Sequence, residues 1–273
     1  MDIIKKLAQE LTIKEEQAKA AVQLIDEGNT IPFIARYRKE MTGALNDETL
    51  RNLHERLLYL RNLEEKKEQV INAITEQGKM TDDLKKKILA AETLVAVDDL
   101  YRPYRPKKQT RATKAKEKGL EPLANILLLQ ATSKSMEEEA QSFVDEAKGV
   151  TNAKEALAGA KDIIAEMIAD KADYRKSIRN CTMKQGRLVV KAKDEKAESV
   201  YEMYYDFSEE LSKITGYRVL AINRGEKEKF LTVKVEAPDA QIVNALNKTM
   251  IKDNPNTKTL MEETVLDAYN RLI

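Results

Sequence analysis

Residues Asp47–Gln77, DETLRNLHERLLYLRNLEEKKEQVINAITEQ, decide the fold class. Leu50, Leu53, Leu57 and Leu60 recur at alternating three- and four-residue steps, and Ile71 and Ile74 resume the pattern. That period belongs to a helix with one apolar stripe. The run contains no Gly and no Pro, so nothing breaks a helix of roughly 45 Å at 1.5 Å per residue. Glu64 and Lys67 interrupt the seam, with Leu63 and Val70 beside them. This shift predicts packing against a globular body, not a free coiled coil. His54, the sole histidine, sits at the flank of the stripe and reads as a helix-flank residue.

Outward from this helix the texture stays helical. Upstream, a helix over about Lys14–Glu27 turns through Gly28-Asn29-Thr30 into a second, short one with Pro32 in its first turn. The pair has helix-turn-helix proportions, and its second helix carries Arg36, Arg38 and Lys39, secondary candidates for nucleic-acid contact. Phe33 and Ile34 on the same helix favour a packing role. Downstream, helices are expected from Thr81 to the apolar run before Tyr101, over Leu120–Gln130, over Met136–Lys148, and over a long Ala153–Asn180. In the last of these, Leu157, Ala160, Ile164, Met167, Tyr174, Ile178 and Cys181 share a stripe. Thr12/Glu15, Ser135/Glu138, Asn152/Glu155 and Thr259/Glu262 stand at capping-box spacing.

After Gly186 the period changes. RLVVKA reads as a strand, and FLTVKVE alternates apolar and polar residues as a half-buried strand does. Between them, YEMYYDFSEELSKI is expected to be helical, and GYRVLAINRGE a helix or strand ending in a glycine turn. The expected fold is mainly α. It is a multi-helix, elongated bundle with helix-turn-helix-like elements over 1–185, followed by a small mixed α/β unit over 186–273. Met261, Val265, Ala268 and Leu272 form a stripe still running at the last residue, as in a piece of a longer chain.

Composition bounds function. The chain carries 47 Lys+Arg against 46 Asp+Glu, so any attraction for a polyanion must be local. One cysteine gives no disulfide framework. The N-terminus lacks the apolar core of a signal peptide, and no run approaches a membrane span. A cytoplasmic protein is expected. There is no P-loop, dinucleotide fingerprint or Cys/His cluster. Asp98-Asp99 lacks supporting metal ligands, and Glu137–Glu139 reads as an acidic first helical turn. Neither catalysis, nor a metal, nor a cofactor is expected.

The local exception is LYRPYRPKKQTRATKAKEKGLEP, Leu100–Pro122. From Arg102 to Lys118 it holds eight basic residues and one acid, Glu117. Pro103 and Pro106 predict an extended, stiff backbone through YRPYRP, with RATKAKEK helical from about Thr110. Arg102, Arg105, Lys107, Lys108, Arg111 and Lys114 are candidates for phosphate contact, and Tyr101 and Tyr104 for base stacking. The other reading is structural: the tyrosines pin the loop to the core and the arginines pair with the chain's own acids. Both stand at this point.

Three blocks carry a family resemblance. They are IPFIARYRKEMTGALNDETLRNLHERLLYLRNLEEKK, VDDLYRPYRPKKQTRATKAKEKGLEPLANILL and YRVLAINRGEKEKFLTVKV. In this order they resemble the Tex family of bacterial transcription accessory proteins. The resemblance implies a cytoplasmic, elongated, mainly helical protein that binds nucleic acid and acts as an accessory factor in transcription; the phosphate contacts read above add the expectation of sequence-tolerant binding to RNA or DNA by a non-enzymatic module, with the transcription machinery as a further partner. The resemblance also implies that the chain is the N-terminal portion, leading towards an RNase H-like domain, helix-hairpin-helix elements and an oligonucleotide-binding barrel. The family often has His before the arginine at position 218, where this chain has Tyr217. The alternative function is a helical docking scaffold for polymerase, or for further domains, without direct nucleic-acid binding.

Overall fold

The computed structural model describes residues 2–106 and 109–272. The chain is mainly α and forms two compact units, Met1–Tyr104 and Arg105–Ile273.

The first unit is organised by α5, Asp47–Glu76, thirty residues started by Asn46, whose Oδ1 accepts from the Thr49 amide at 2.7 Å. Its buried stripe is Leu50, Leu53, Leu57, Leu60, Leu63, Lys67, Val70 and Ile74. Lys67 thus continues the seam instead of interrupting it. Around α5 lie α1 (Ile3–Leu11), α2 (Glu15–Asp26), α3 (Ile31–Tyr37), α4 (Lys39–Thr42), α6 (Asp82–Ala90) and α7 (Leu94–Tyr101). Leu7, Leu24, Ile34, Ile88 and Val97 close the core against the leucine seam. Two arginine forks lace helices to α5: Arg56 to Glu10 of α1 at 2.5 and 2.8 Å, and Arg61 to Asp26 of α2 at 2.7 and 2.7 Å. α1 has no counterpart in the sequence reading. Its end explains why Thr12 does not open a capping box: Thr12 adopts φ 55° at the C-terminus of α1, and Lys14 is the N-cap of α2.

In the second unit, α8 (Arg111–Glu117), α9 (Glu121–Leu129) and α10 (Met136–Gln141) pack on α11 (Ala153–Asp170). The Ser135/Glu138 box forms as expected; Asn152 caps α11, but the Glu155 carboxylate accepts from Thr151 and closes no box with Asn152. Lys171 takes an extended conformation (φ −73°, ψ 115°), so the long helix expected over 153–180 is two, α11 and α12 (Ala172–Gln185). The chain then makes a three-stranded antiparallel sheet from β1 (Arg187–Ala192), β2 (Asp206–Glu210) and β3 (Leu231–Glu236), ordered β2-β1-β3. Helix α13 (Gly216–Lys227) packs against β3. This sheet has its own small core of Val190, Tyr201, Tyr204, Ile222 and Leu231. The stretch expected to be helical at Tyr201–Ile214 is a short 3₁₀ turn, Glu202–Tyr204, followed by β2. Phe207 opposes Val190 across the ladder, and that pairing overrides the local helix preference. Gly225 is a buried residue inside α13, not a turn.

Finally α14 (Asp239–Met250) and α15 (Lys258–Asn270) return to the helical core, where Met261, Val265, Ala268 and Tyr269 meet α11. Thr257, not Thr259, precedes α15 as its N-cap. Gln130 secures the return. It is buried, its Nε2 donates to the Met250 carbonyl at 2.7 Å, and its Oε1 accepts from the Lys252 amide at 2.9 Å. Among the described residues, no helix is long and apolar enough to cross a membrane.

Candidate nucleic-acid interface

The basic segment begins in the first unit. Helix α7 starts at Thr93, whose Oγ1 accepts from the Ala96 amide, and buries Val97 and Asp99. Arg102 keeps helical angles (φ −50°, ψ −44°), and Arg102–Tyr104 forms one 3₁₀ turn. The expected extended ribbon is therefore not present at YRPY. Pro103 falls in the first turn of a new short helix, where its missing N–H costs nothing. The Tyr104 carbonyl accepts from Gln77 Nε2 at 2.9 Å. Tyr101 and Tyr104 are half-buried and packed on the first core.

The rest lies in the second unit. Arg105 and Pro106 are exposed. Lys107 and Lys108 lie outside the described residues. Thr110 caps α8 through a reciprocal pair with Thr113, at 3.0 and 2.7 Å. Ala112 and Ala115 are buried against α11, which turns Arg111 and Lys114 outward on the opposite face. The Arg111 side chain is 69% exposed and its Nε stands 3.6 Å from Asp162 Oδ1. Asp162 is held more closely by Arg271, at 2.5 Å. Burial pushes the Arg271 guanidinium down, but its hydrogen bonds to Asp267 and Asp162 outweigh that and raise it. Lys114 is exposed and makes no ion pair among the described residues. Lys116 pairs with Glu121 at 3.4 Å, and Lys118 Nζ donates to the Gly149 carbonyl at 2.7 Å. So Arg111 and Lys114 lead the cationic face of α8, while Lys116 and Lys118 brace neighbouring loops.

The secondary candidates sit in the first unit at the end of α3. Ile34 is fully buried, whereas Arg36 and Lys39 are exposed. The Arg38 guanidinium lies 5.0 Å from the Phe33 ring centroid.

One cationic surface escaped the sequence reading. Lys171–Arg187 holds six cations and one acid, Asp173. Lys176 and Lys184 project from α12 into solvent, unpaired among the described residues. The apolar stripe is the stronger periodic signal in that helix, and the charge count of the segment is what marks its other face. Among the described residues no three His, Cys, Asp or Glu side chains gather as metal ligands.

Residues 131–269 match the family described as Tex central region-like, and residues 1–75 match the Tex-like protein N-terminal domain. The chain belongs to the Tex family. The basic segment falls between the two matched stretches, but likeness to individual Tex-family relatives runs through it. YdcI of Bacillus subtilis is 43% identical over 98% of this chain and 38% of its own length. The transcriptional accessory protein Tex of Neisseria gonorrhoeae is 41% identical over 86% of this chain and 31% of its own. The human S1 RNA-binding domain-containing protein 1 is 32% identical over 100% of this chain and 29% of its own. The chain thus spans well under half the length of the curated relatives it matches.

Proposed function

We propose that this chain is a non-enzymatic, nucleic-acid-associated module of a transcription accessory factor, working in the cytoplasm. It holds the phosphate backbone of RNA or DNA through Arg102, Arg105, Lys107, Lys108, Arg111 and Lys114. Tyr101 and Tyr104 serve first as anchors, and only their outward faces are open to a base. The observation that carries the reading is the outer face of α8. Arg111 and Lys114 point into solvent from a helix fixed by two buried alanines, and the carboxylate nearest Arg111 is already engaged by Arg271. Cations held in a stiff frame lose little freedom when they meet phosphates, and each contact releases a condensed counterion. Membership of the Tex family, with relatives named for transcription and for RNA binding, supports the same direction.

The test is a titration of labelled single- and double-stranded oligonucleotides at several salt concentrations. Binding is expected to be sequence-tolerant. The triple variant Lys107→Glu, Lys108→Glu, Lys114→Glu should shorten the salt slope by about two to three phosphate contacts, at roughly 0.7 to 0.9 per contact. Its circular dichroism should match the parent. Unchanged affinity and slope in the variant would remove this assignment. Absence of any complex at low salt would leave the docking scaffold as the better reading.

A further inference from the structure

We propose that the exposed ring of Tyr37, in a stretch that also carries Arg36, Arg38 and Lys39, is a stacking platform for a base of single-stranded nucleic acid. Helix α3 has a core to face and uses it: Ile34 is fully buried, and Ile31 and Ala35 pack beside it. The opposite side carries Phe33 and Tyr37, with Met41 following on α4. Tyr37 is 65% exposed and Met41 51%. A large aromatic ring left in water beside a formed core contributes little to folding.

The ring is nonetheless held. Its centroid lies 5.3 Å from that of Phe33, tilted by 46°. Arg38 braces the same cluster. Its guanidinium sits over Phe33, and its Nη1 donates to the Tyr37 carbonyl at 3.1 Å. None of Arg36, Arg38 and Lys39 pairs with a carboxylate among the described residues. From Ile31 to Gly43 the chain has one acid, Glu40.

A flat exposed ring in a short stretch with three cations matches what an unpaired nucleotide offers: one π-face and flanking phosphates. A duplex keeps its base faces stacked inside and cannot use the ring. An apolar protein partner would have to desolvate three charges that have no carboxylate partner among the described residues, which makes it the poorer fit. The platform lies in the first unit and does not depend on the basic segment of the second.

The test uses the whole chain and a fluorescent single-stranded oligonucleotide containing 2-aminopurine, read by anisotropy and by quenching of the base. Tyr37→Ala should weaken binding about 5- to 150-fold, as loss of one base stack does, and relieve the quenching. Tyr37→Phe should retain both signals, and duplex of the same length should show no dependence on residue 37. The salt slope should stay that of the parent, which separates this variant from the charge reversals at 107, 108 and 114. Thermal melts should be unchanged, because the ring is exposed. If Tyr37→Ala binds the single strand as tightly as the parent, or loses duplex binding equally, the proposal is overturned. It is overturned too if the parent chain binds no single strand.

Discussion

Replacing Lys67 by Met tests how the first unit is held together. Lys67 occupies a core position of α5 and is only 2% exposed. Its ammonium donates to Glu64 Oε1 at 2.8 Å and to the Leu89 carbonyl at 2.9 Å. Leu89 lies in the last turn of α6, so its carbonyl is one of those with no partner inside the helix. The lysine therefore acts as a C-terminal cap reaching across from another helix. Methionine keeps the length of the side chain and removes every donor. Stranding the Leu89 carbonyl costs about 1–3 kcal/mol. Glu64 is partly exposed and regains water, so its loss is smaller, and relief from burying an ammonium offsets part of the total. The net expectation is a destabilisation of about 2 kcal/mol. For a unit of this size that lowers the midpoint by roughly 8–16 °C. Scanning calorimetry, with circular dichroism in urea as a second readout, measures it. The transition of the second unit should not move. A Lys67→Met protein as stable as the parent, or more so, would refute the reasoning and place this lysine among buried ions that hydrophobic replacement improves.

Four further outcomes follow from the packing within each unit. Gln130→Ala should cost about 2–4 kcal/mol in the second unit, because the Met250 carbonyl and Lys252 amide both lose their partner; the calorimetric midpoint reads it. Gly225→Ala should destabilise by about 1–3 kcal/mol despite the better helix former, since a Cβ there meets Leu231 Cδ1 at 2.6 Å. Gly216→Ala, where a Cβ meets nothing within 4 Å, should instead stabilise by about 0.4–1 kcal/mol, both compared by urea midpoints. The hydrogen bonds from Arg56 and Arg61 hold the Glu10 and Asp26 carboxyls below their ordinary values. Their contribution is present above those ordinary values and is lost as pH falls through the depressed ones. Melts between pH 7 and about pH 3 should show this acid limb, and Arg61→Ala should flatten it.

The sequence displayed what repeats locally. The leucine seam of α5, the Ser135 and Asn152 caps and the alternation in β1 and β3 are short-range signals, and each marks its element. What it concealed depends on distant partners. β2 looks helical by composition and becomes a strand because β1 offers an open edge. Lys67 looked like a fault in the seam because the carbonyl it serves lies 22 residues on. The break at Lys171 carries neither Gly nor Pro. For the basic segment, composition flagged the cations but not their fates. Gly149 and Glu121 take up Lys118 and Lys116, and Arg271 draws off the acid closest to Arg111. The exposure of Tyr37 likewise follows from Ile34 claiming the core.

The strand that leaves the helices and the strand that comes back to them are neighbours: Arg187 and Glu236 are register partners. The chain between them is a closed excursion with separate hydrophobic contents, and the bundle is completed only when α14 and α15 arrive. Such a lobe is spliceable. Natural variation could lengthen, trim or exchange it at a single doorway, while the helices on either side keep their seats.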